Sequence, residues 1–189
     1  TIRWTLSRRT LLKTGAAAGV ILVAGRLATN EVFAQGAVAT TTPLNAWIAI
    51  SSDGGVTLQC AHSEMGQGIL TTFAAILADE LEADWTRVKV VLSPAAPPYR
   101  HPLYNWQFTG NSESIRTYHA LLRKMGAAAR EMLIAAAAAR FKVAPNTLVA
   151  REGVVRHAPS ARAIGYGALA TEAAKLPLPA APQLQSERQ

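Results

Sequence analysis

One long segment without proline restricts the fold of this chain more than any other feature. From Ser112 to about Lys142 there is a single glycine, Gly126, among many Ala, Leu, Met, Arg and Glu residues, which are strong helix formers. We predict one helix of up to about 45 Å at 1.5 Å per residue, or two helices with a bend near Gly126. The alanine run Ala135–Ala139 predicts close packing against a neighbouring element.

Two apolar runs rich in β-branched residues, Leu44–Ser51 and Val56–His62, flank the turn Ser52-Asp53-Gly54-Gly55. The Asp-Gly pair permits the positive φ that a tight turn requires, so the runs predict a β-hairpin. Side chains alternate between the two faces of a strand. One face of the second run therefore carries Val56, Leu58 and Cys60.

Between Ile69 and Ala83 the apolar residues recur at helical spacing instead, which predicts an amphipathic helix. The apolar stripe consists of Leu70, Phe73, Leu77 and Leu81. Acidic residues lie largely opposite this stripe, and a solvated face is favoured over a metal site for them. These acidic residues are Asp79, Glu80, Glu82 and Asp84.

The remaining segments predict short elements. Residues 35–43 predict a flexible lead-in, Val88–Leu92 a third strand, 147–156 a short hairpin and Tyr166–Lys175 a helix. The proline-rich segment 176–189 predicts an extended linker. The expected fold class is α+β, with a small mixed or antiparallel sheet with hairpins packed against one long helix and two shorter helices and preceded by a signal peptide.

Residues 1–34 have the features of an export signal. Ser7-Arg8-Arg9-Thr10-Leu11-Leu12-Lys13 matches the twin-arginine pattern, and the weakly hydrophobic stretch behind it is too short to span a membrane. Val32-Phe33-Ala34 offers small side chains to signal peptidase, so Gln35 is the expected new N-terminus, although the sequence leaves open whether the leader is cleaved. A basic amphipathic helix is the alternative interpretation.

This type of export signal has a chemical implication. The twin-arginine translocase resembles a device that moves proteins already folded in the cytoplasm, often with a cofactor installed. We therefore expect a periplasmic or membrane-associated protein that receives its cofactor before export. A chain with one cysteine cannot hold an iron–sulfur cluster by itself, so other groups must bind a redox cofactor.

The net charge of +7 does not indicate a nucleic-acid partner. Residues 1–34 contain five basic residues and one acidic residue, and the remaining excess of +3 is scattered without a basic run interleaved with aromatics. Cys60 is expected to be a buried small side chain that forms no disulfide. No metal site is predicted, because no ligand spacing connects the histidines. Packing or surface positions are expected for His62, His101, His119 and His157.

Glycine and polar residues meet at two predicted junctions between a strand and a helix. The first, Ser63–Gly68, leads into the Ile69–Ala83 helix. Its glycines, Gly66 and Gly68, let the backbone approach a ligand and leave N–H groups at the helix start for an anion. Gln67 offers both an amide donor and an acceptor. A purely structural turn explains the same residues.

The second junction, Gln107–Ser112, opens the long helix. Asn111 or Ser112 can cap that helix and satisfy its first N–H groups without any ligand. Phosphate binding at the same terminus is the functional alternative. The residues alone leave both interpretations open.

A succession of short motifs extends over most of residues 5–180. It comprises Pro43-Leu44-Asn45-Ala46-Trp47-Ile48, Asp53-Gly54, Ser63–Gly68, Glu80-Leu81, Gln107, Thr109-Gly110, Ser112, Ile115-Arg116, Gly126–Leu133 and Tyr166-Gly167. In this order and spacing the motifs resemble the start of isoquinoline 1-oxidoreductase β subunits. Those are twin-arginine-exported, molybdopterin-binding large subunits of the xanthine dehydrogenase/aldehyde oxidase family.

The resemblance implies a molybdopterin-dependent oxidoreductase that hydroxylates an N-heterocycle or an aldehyde with water as the oxygen source. The implied cofactor is molybdopterin in its cytosine dinucleotide form. The implied partners are a small subunit carrying 2Fe–2S clusters and, as an electron acceptor, a cytochrome c. Gly66, Gln67 and Gly68 are implied to contact the cofactor, with Gln67 near the molybdenum oxo group, and Thr109 and Gly110 to lie toward it.

Family members are several times longer, so the glutamate base and most pterin contacts are expected beyond Gln189. No catalytic residue is assigned within the chain, and Glu64 is given a turn or helix-dipole role. Residues 35–175 are expected to form the first part of the molybdopterin-binding domain. The alternative is an exported α+β module without catalytic function, as a truncated gene product or a structural partner.

Overall fold

The computed structural model describes residues 39–186. The twin-arginine motif and the expected cleavage site after Ala34 lie outside the described residues. Within residues 39–186, two small β-sheets pack with four α-helices, which confirms the predicted α+β class. No helix in this range is long and apolar enough to cross a membrane.

The first sheet is mixed, with the strand order β1-β2-β3-β4. β1, β2 and β3 pair antiparallel, whereas β3 and β4 pair parallel, with Val56 opposite Val88. The predicted hairpin is confirmed, and so is the buried face of the second strand. The four strands are β1 (Thr41–Pro43), β2 (Ile48–Ser51), β3 (Val56–Cys60) and β4 (Val88–Leu92).

Strand β1 corrects the prediction of a flexible lead-in over residues 35–43. Thr41 pairs with Ser51 and Pro43 pairs with Ala49. A strand at the edge of a sheet is hydrogen-bonded on one side only, so it tolerates a proline. For the same reason it needs no apolar alternation, which leaves the sequence without a strand signal at this position.

Helix α1 (Ile69–Leu81) connects β3 to β4, as the crossover between two parallel strands requires. Phe73, Leu77 and Leu81 are fully buried, which confirms three positions of the predicted stripe. Leu70 is only partly buried, because the inward position in the first turn is taken by Ile69.

The prediction of a solvated acidic face on this helix is wrong for Glu80. Its side chain is 1% exposed and forms ion pairs with Arg123 and Arg130. Both arginines come from the long helical segment more than forty positions along the chain. The helix therefore turns one of its carboxylates inward, where it meets cations from its neighbour.

The long proline-free segment forms two helices, α2 (Glu113–Arg116) and α3 (His119–Phe141). They are separated at Thr117-Tyr118, so the predicted bend near Gly126 is wrong. Tyr118 is buried at this break, and its hydroxyl donates to the carbonyl oxygen of Tyr99 at 3.1 Å. The break therefore places an aromatic ring inside the core.

Gly126 has a different role, because it lets α3 approach α1. A Cβ atom at this position would lie 2.7 Å from the carbonyl oxygen of Leu77 and 2.8 Å from Glu80 Cβ. Both distances are too short for real contacts. The predicted close packing of the alanine run is also confirmed, since Ala136, Ala137 and Ala138 are buried.

The second sheet is antiparallel and has the order β5-β6-β7. It consists of β5 (Val149–Arg151), β6 (Val154–His157) and β7 (Arg162–Gly165), followed by helix α4 (Tyr166–Ala173). The predicted hairpin is confirmed, and β7 is an edge strand that the sequence does not reveal. Short 3₁₀ turns occur at Trp85–Arg87, Pro97–Tyr99, Pro145–Thr147 and Ala158–Ser160.

Helix α4 packs directly on the turn between β2 and β3. A Cβ atom at Gly167 would lie 2.5 Å from the carbonyl oxygen of Ser52 and 2.6 Å from the backbone nitrogen of Gly54. Only glycine permits this approach of two backbones. The Tyr166-Gly167 motif is thus explained by packing between α4 and the first sheet.

Candidate functional site

The candidate site lies at the carboxyl end of the parallel pair β3 and β4. β3 ends at Cys60 and β4 ends at Leu92, and these two residues lie opposite each other. In open sheets with parallel strands, ligands bind beyond the carboxyl ends of the strands. The Ser63–Gly68 segment follows β3 directly, and Gln107–Gly110 belongs to the long connection that follows β4.

Glu64 organises the first segment. Its Oε1 accepts hydrogen bonds from the backbone N–H groups of Gly66 at 2.9 Å and Gly68 at 3.0 Å, and its Oε2 accepts one from Leu70 at 3.2 Å. The expected helix-dipole role of Glu64 is confirmed. The prediction of free N–H groups at the helix start is wrong for Gly68 and Leu70, because a carboxylate of the same chain already binds them.

The two glycines of this segment have positive φ angles, +89° at Gly66 and +77° at Gly68, which side-chain-bearing residues rarely adopt. A Cβ atom at either position would meet no atom of the described chain within 4 Å. The outer surface of the loop is therefore bare backbone, open to a close approach from outside.

Gln67 is held in a defined orientation between those glycines. Its Oε1 accepts a hydrogen bond from the backbone of Met65 at 2.6 Å, and its Nε2 donates to the carbonyl oxygen of Ser63 at 2.8 Å. These partners fix which end of the amide is the donor. The side chain is exposed, and the second hydrogen of Nε2 remains available to a ligand.

Thr109 joins the second segment to the first. Its hydroxyl oxygen accepts a hydrogen bond from the backbone N–H of Ser63 at 2.8 Å, across 46 positions of sequence. The structure thereby brings together the two junctions that the sequence predicts independently. Gly110 follows Thr109 and makes an ordinary contact with the Phe108 ring, at 3.7 Å from where its Cβ would lie.

Gln107 ties the same region to both strand ends. Its Nε2 donates to the carbonyl oxygen of Ala61 and to the hydroxyl of Ser93, both at 3.0 Å. Its Oε1 is buried and has no hydrogen-bond partner. Gln107 belongs to the motif succession but not to the predicted site residues; its position after β4 is the signal that could have revealed it.

An open cleft of about 310 Å³ lies between these segments. Of the five predicted cofactor-binding residues, only Thr109 lines it. Gly66, Gln67, Gly68 and Gly110 lie on the neighbouring surface. The lining residues are Cys60, Ala61, His62, Ser63, Leu92, Ser93, Ala95, Gln107, Phe108 and Thr109.

The titratable groups of the cleft favour their neutral forms. Burial lowers the pKa of His62, although the Phe108 carbonyl partly opposes this shift. Burial likewise raises the pKa of the Cys60 thiol, which donates to the His62 carbonyl. Both side chains are buried, as predicted. In residues 39–186 no group of three or more His, Cys, Asp or Glu side chains could hold a metal ion.

The start of α2 decides between the interpretations of Asn111 and Ser112 only in part. Both residues have a φ of 54°, in the left-handed region, and the side chain of Ser112 forms no capping hydrogen bond. Capping by Ser112 is therefore wrong. Asparagine enters the left-handed region more readily than most residues, so Asn111 can replace the glycine usual in the family.

A comparison with protein families identifies the chain. Residues 10–188 match the model of a family described as molybdopterin cofactor-binding domain. The chain belongs to this family. The predicted relationship to the molybdopterin-binding subunits of the xanthine dehydrogenase/aldehyde oxidase family is thereby confirmed.

Three relatives show how this domain occurs elsewhere. The chain is 36% identical to the isoquinoline 1-oxidoreductase β subunit of Brevundimonas diminuta, over 80% of this chain and 21% of the relative. It is 31% identical to the membrane-bound aldehyde dehydrogenase [pyrroloquinoline-quinone] of Gluconacetobacter polyoxogenes, over 80% and 19%. A nicotinate dehydrogenase subunit of Pseudomonas putida is 35% identical over 58% and 9%.

The chain spans about a fifth of the length of the first two of these relatives. Among solved structures, quinoline 2-oxidoreductase from Pseudomonas putida 86 is 21% identical, with a TM-score of 0.49, over 67% of this chain and 15% of that chain.

Proposed function

We propose that this chain forms one wall of the molybdopterin site in an exported molybdenum hydroxylase subunit. The observation that carries the proposal is the hydrogen bond between Ser63 and Thr109, which joins two glycine-bearing segments at the carboxyl end of β3 and β4. Membership of the molybdopterin cofactor-binding family supports the choice of cofactor.

The residues present fit such a cofactor. Molybdopterin presents amide-like edges and a phosphate, so it needs donors, acceptors and room for close approach. Gly66 and Gly68 offer open backbone, and Gln67 offers an amide hydrogen. Gln107 holds a buried acceptor without a partner, which costs about 1–3 kcal/mol if nothing satisfies it. A bound donor would remove that cost.

Each residue has a limited task in this proposal. Gln67 donates a hydrogen bond to the cofactor from a side chain that Met65 and Ser63 hold in position. The Thr109 hydroxyl accepts from Ser63 and is free to donate its own hydrogen toward the cofactor. Gly66, Gly68 and Gly110 keep the surface free of side chains. When bound, the molybdenum centre supplies two-electron oxidation of a carbon with water as the oxygen source.

The wider assembly is part of the same proposal. The substrate is an N-heterocycle or an aldehyde, and the names of the relatives include examples of both. The base and further pterin contacts come from residues beyond Gln189. The cofactor is the cytosine dinucleotide form, and electrons pass to a partner subunit with 2Fe–2S clusters and on to a cytochrome c. Twin-arginine export delivers the protein to the periplasm.

Metal analysis of the full-length subunit, purified with its partner, tests the cofactor assignment. We expect molybdenum in the wild type and about tenfold weaker retention in Gln67→Ala and Thr109→Val variants, the range typical of groups that support a metal site. Asn146→Ala, an exposed position far along the chain, is the control. A subunit without molybdenum would support the non-catalytic alternative, or pyrroloquinoline quinone if that compound were found.

Export is tested separately by cell fractionation. Replacing Arg8 and Arg9 together by lysine preserves the charge of the leader but removes the twin-arginine pair. We expect the variant to accumulate in the cytoplasm while the wild type reaches the periplasm. Equal distribution of both proteins would exclude the twin-arginine route.

A further inference from the structure

The segment of residues 176–186, which we call the C-terminal strap, is held against the helices through its main chain. The backbone N–H of Gln183 donates to Glu131 Oε1 at 2.7 Å, and that of Gln185 donates to Glu80 Oε2 at 3.0 Å. The carbonyl oxygen of Gln183 accepts from Arg130, and that of Gln185 accepts from Arg123 at 2.7 Å. The strap thus binds at both main-chain groups of two alternate residues.

The helices supply these contacts from a cluster of four charged side chains, Glu80, Arg123, Arg130 and Glu131. Glu80 is 1% exposed, and the side chains of Arg123 and Arg130 are 20% and 10% exposed. Arg123 Nε donates to Glu80 Oε1 at 2.6 Å, and Arg130 Nη1 lies 3.3 Å from Glu80 Oε2. One buried carboxylate therefore orients two guanidinium groups, whose remaining donors face outward.

The spacing of the contacts matches an extended peptide. In a strand, main-chain groups of residues i and i+2 point to the same side, and Gln183 and Gln185 have this spacing. Leu184 between them is 42% exposed and makes none of the contacts. The prolines of the strap stand at 177, 179 and 182, so none of them removes an N–H group that the cluster uses.

We propose that the cluster of Glu80, Arg123, Arg130 and Glu131 is a binding site for an extended peptide segment and recognises its main chain. Its occupant is the C-terminal strap of the same chain. Because the cluster matches N–H and carbonyl groups, it accepts different side chains at its two positions and rejects proline at either. The site fixes the course of the chain across α1 and α3, independently of any cofactor.

Amide hydrogen exchange on the full chain tests this site. We expect the amides of Gln183 and Gln185 to be protected in the wild type, and to stay protected in Gln183→Ala. In Gln183→Pro we expect the Gln185 amide to exchange at least tenfold faster, because one of the paired N–H groups is lost. The amides of α3 serve as the internal reference for a folded protein.

Three results would overturn the proposal: unprotected amides in the wild type, equal effects of alanine and proline, or a loss with alanine alone, which would mean that side chains are recognised. If Gln183→Pro also exposes α3, the milder Glu131→Gln variant replaces it, with the same loss expected at Gln183.

A peptide with the sequence of residues 176–189 gives a second readout. Added to the full-length Gln183→Pro variant, it should restore protection of the cluster helices and bind in titration calorimetry, whereas the same peptide with proline at 183 and 185 should not. Equal binding of both peptides would exclude main-chain recognition. Molybdenum content plays no part in either measurement, so the outcome is distinct from that of the cofactor proposal.

Discussion

The two ends of helix α1 each hold a carboxylate, and they do so in opposite ways. At the amino end, exposed Glu64 binds three backbone N–H groups of its own loop and helix. At the carboxyl end, Glu80 is buried and binds two arginines and the backbone of the C-terminal strap. One carboxylate shapes a local turn, whereas the other connects segments far apart in sequence.

The difference shows where each charge obtains its compensation. Water can replace the partners of Glu64, because its surroundings are exposed. Water cannot reach Glu80, so the loss of one partner leaves the others buried and unpaired. We therefore expect the carboxyl end of α1 to govern stability, and the amino end to govern what the protein binds.

Glu80→Ala is expected to have the largest effect. Removing the carboxylate leaves Arg123 and Arg130 without their shared anion, a change that costs about 3–5 kcal/mol in buried pairs. Urea unfolding followed by circular dichroism measures it. Asp79→Ala, on the same helix but exposed, should change the free energy of unfolding by less than about 0.5 kcal/mol. Similar effects at both positions would contradict the comparison.

Gly126→Ala is expected to have the next largest effect, because it separates α3 from α1 beside Glu80. The new Cβ would collide with the Leu77 carbonyl oxygen, and overpacking of this kind costs about 1–3 kcal/mol. Gly165→Ala is the matched control, since a Cβ there meets nothing within 4 Å and its φ is −73°. A stabilised Gly126→Ala variant would show that the two helices can move apart freely.

Glu64→Gln should produce a smaller effect that depends on pH. Hydrogen bonds from Gly68 and Leu70 hold the pKa of Glu64 below its ordinary value of 4.5. The unfolded chain therefore binds the proton more tightly, so the carboxylate stabilises the fold above that value and loses this effect as pH falls through the lowered pKa.

We expect Glu64→Gln to be less stable than the wild type at neutral pH and nearly equal to it at the acid end. Thermal unfolding between about pH 3 and pH 7 measures this. A difference between the two proteins that does not change with pH would exclude the proposed role of the carboxylate charge.

The same contrast explains what could be predicted from the sequence. β3 and β4 follow from their apolar runs, and the glycine-bearing loop before α1 follows from local turn chemistry. Glu80 could not be predicted, because an acid opposite an apolar stripe has the pattern of a solvated residue whether or not a second helix carries arginines to meet it. The contact between Ser63 and Thr109 is equally hidden, since it links 46 positions.

The helix break gives the same lesson. Gly126 is the residue that local propensity marks as weak, yet α3 continues through it because the glycine is needed for contact with α1. The chain breaks instead at Tyr118, which propensity does not mark, because its ring belongs to the aromatic core with Trp47 and Phe73. Tertiary packing decides both positions.

Gln67→Ala should have the smallest effect on stability and separates the two ends of α1 most sharply. The side chain is exposed and its two hydrogen bonds are local, so the free energy of unfolding should change by less than about 0.5 kcal/mol. In the full-length subunit the same variant should still lose molybdenum. If Gln67→Ala instead lowered stability as much as Glu80→Ala, the amino end of α1 would be a structural element, and the assignment of Gln67 to the cofactor would lose its basis.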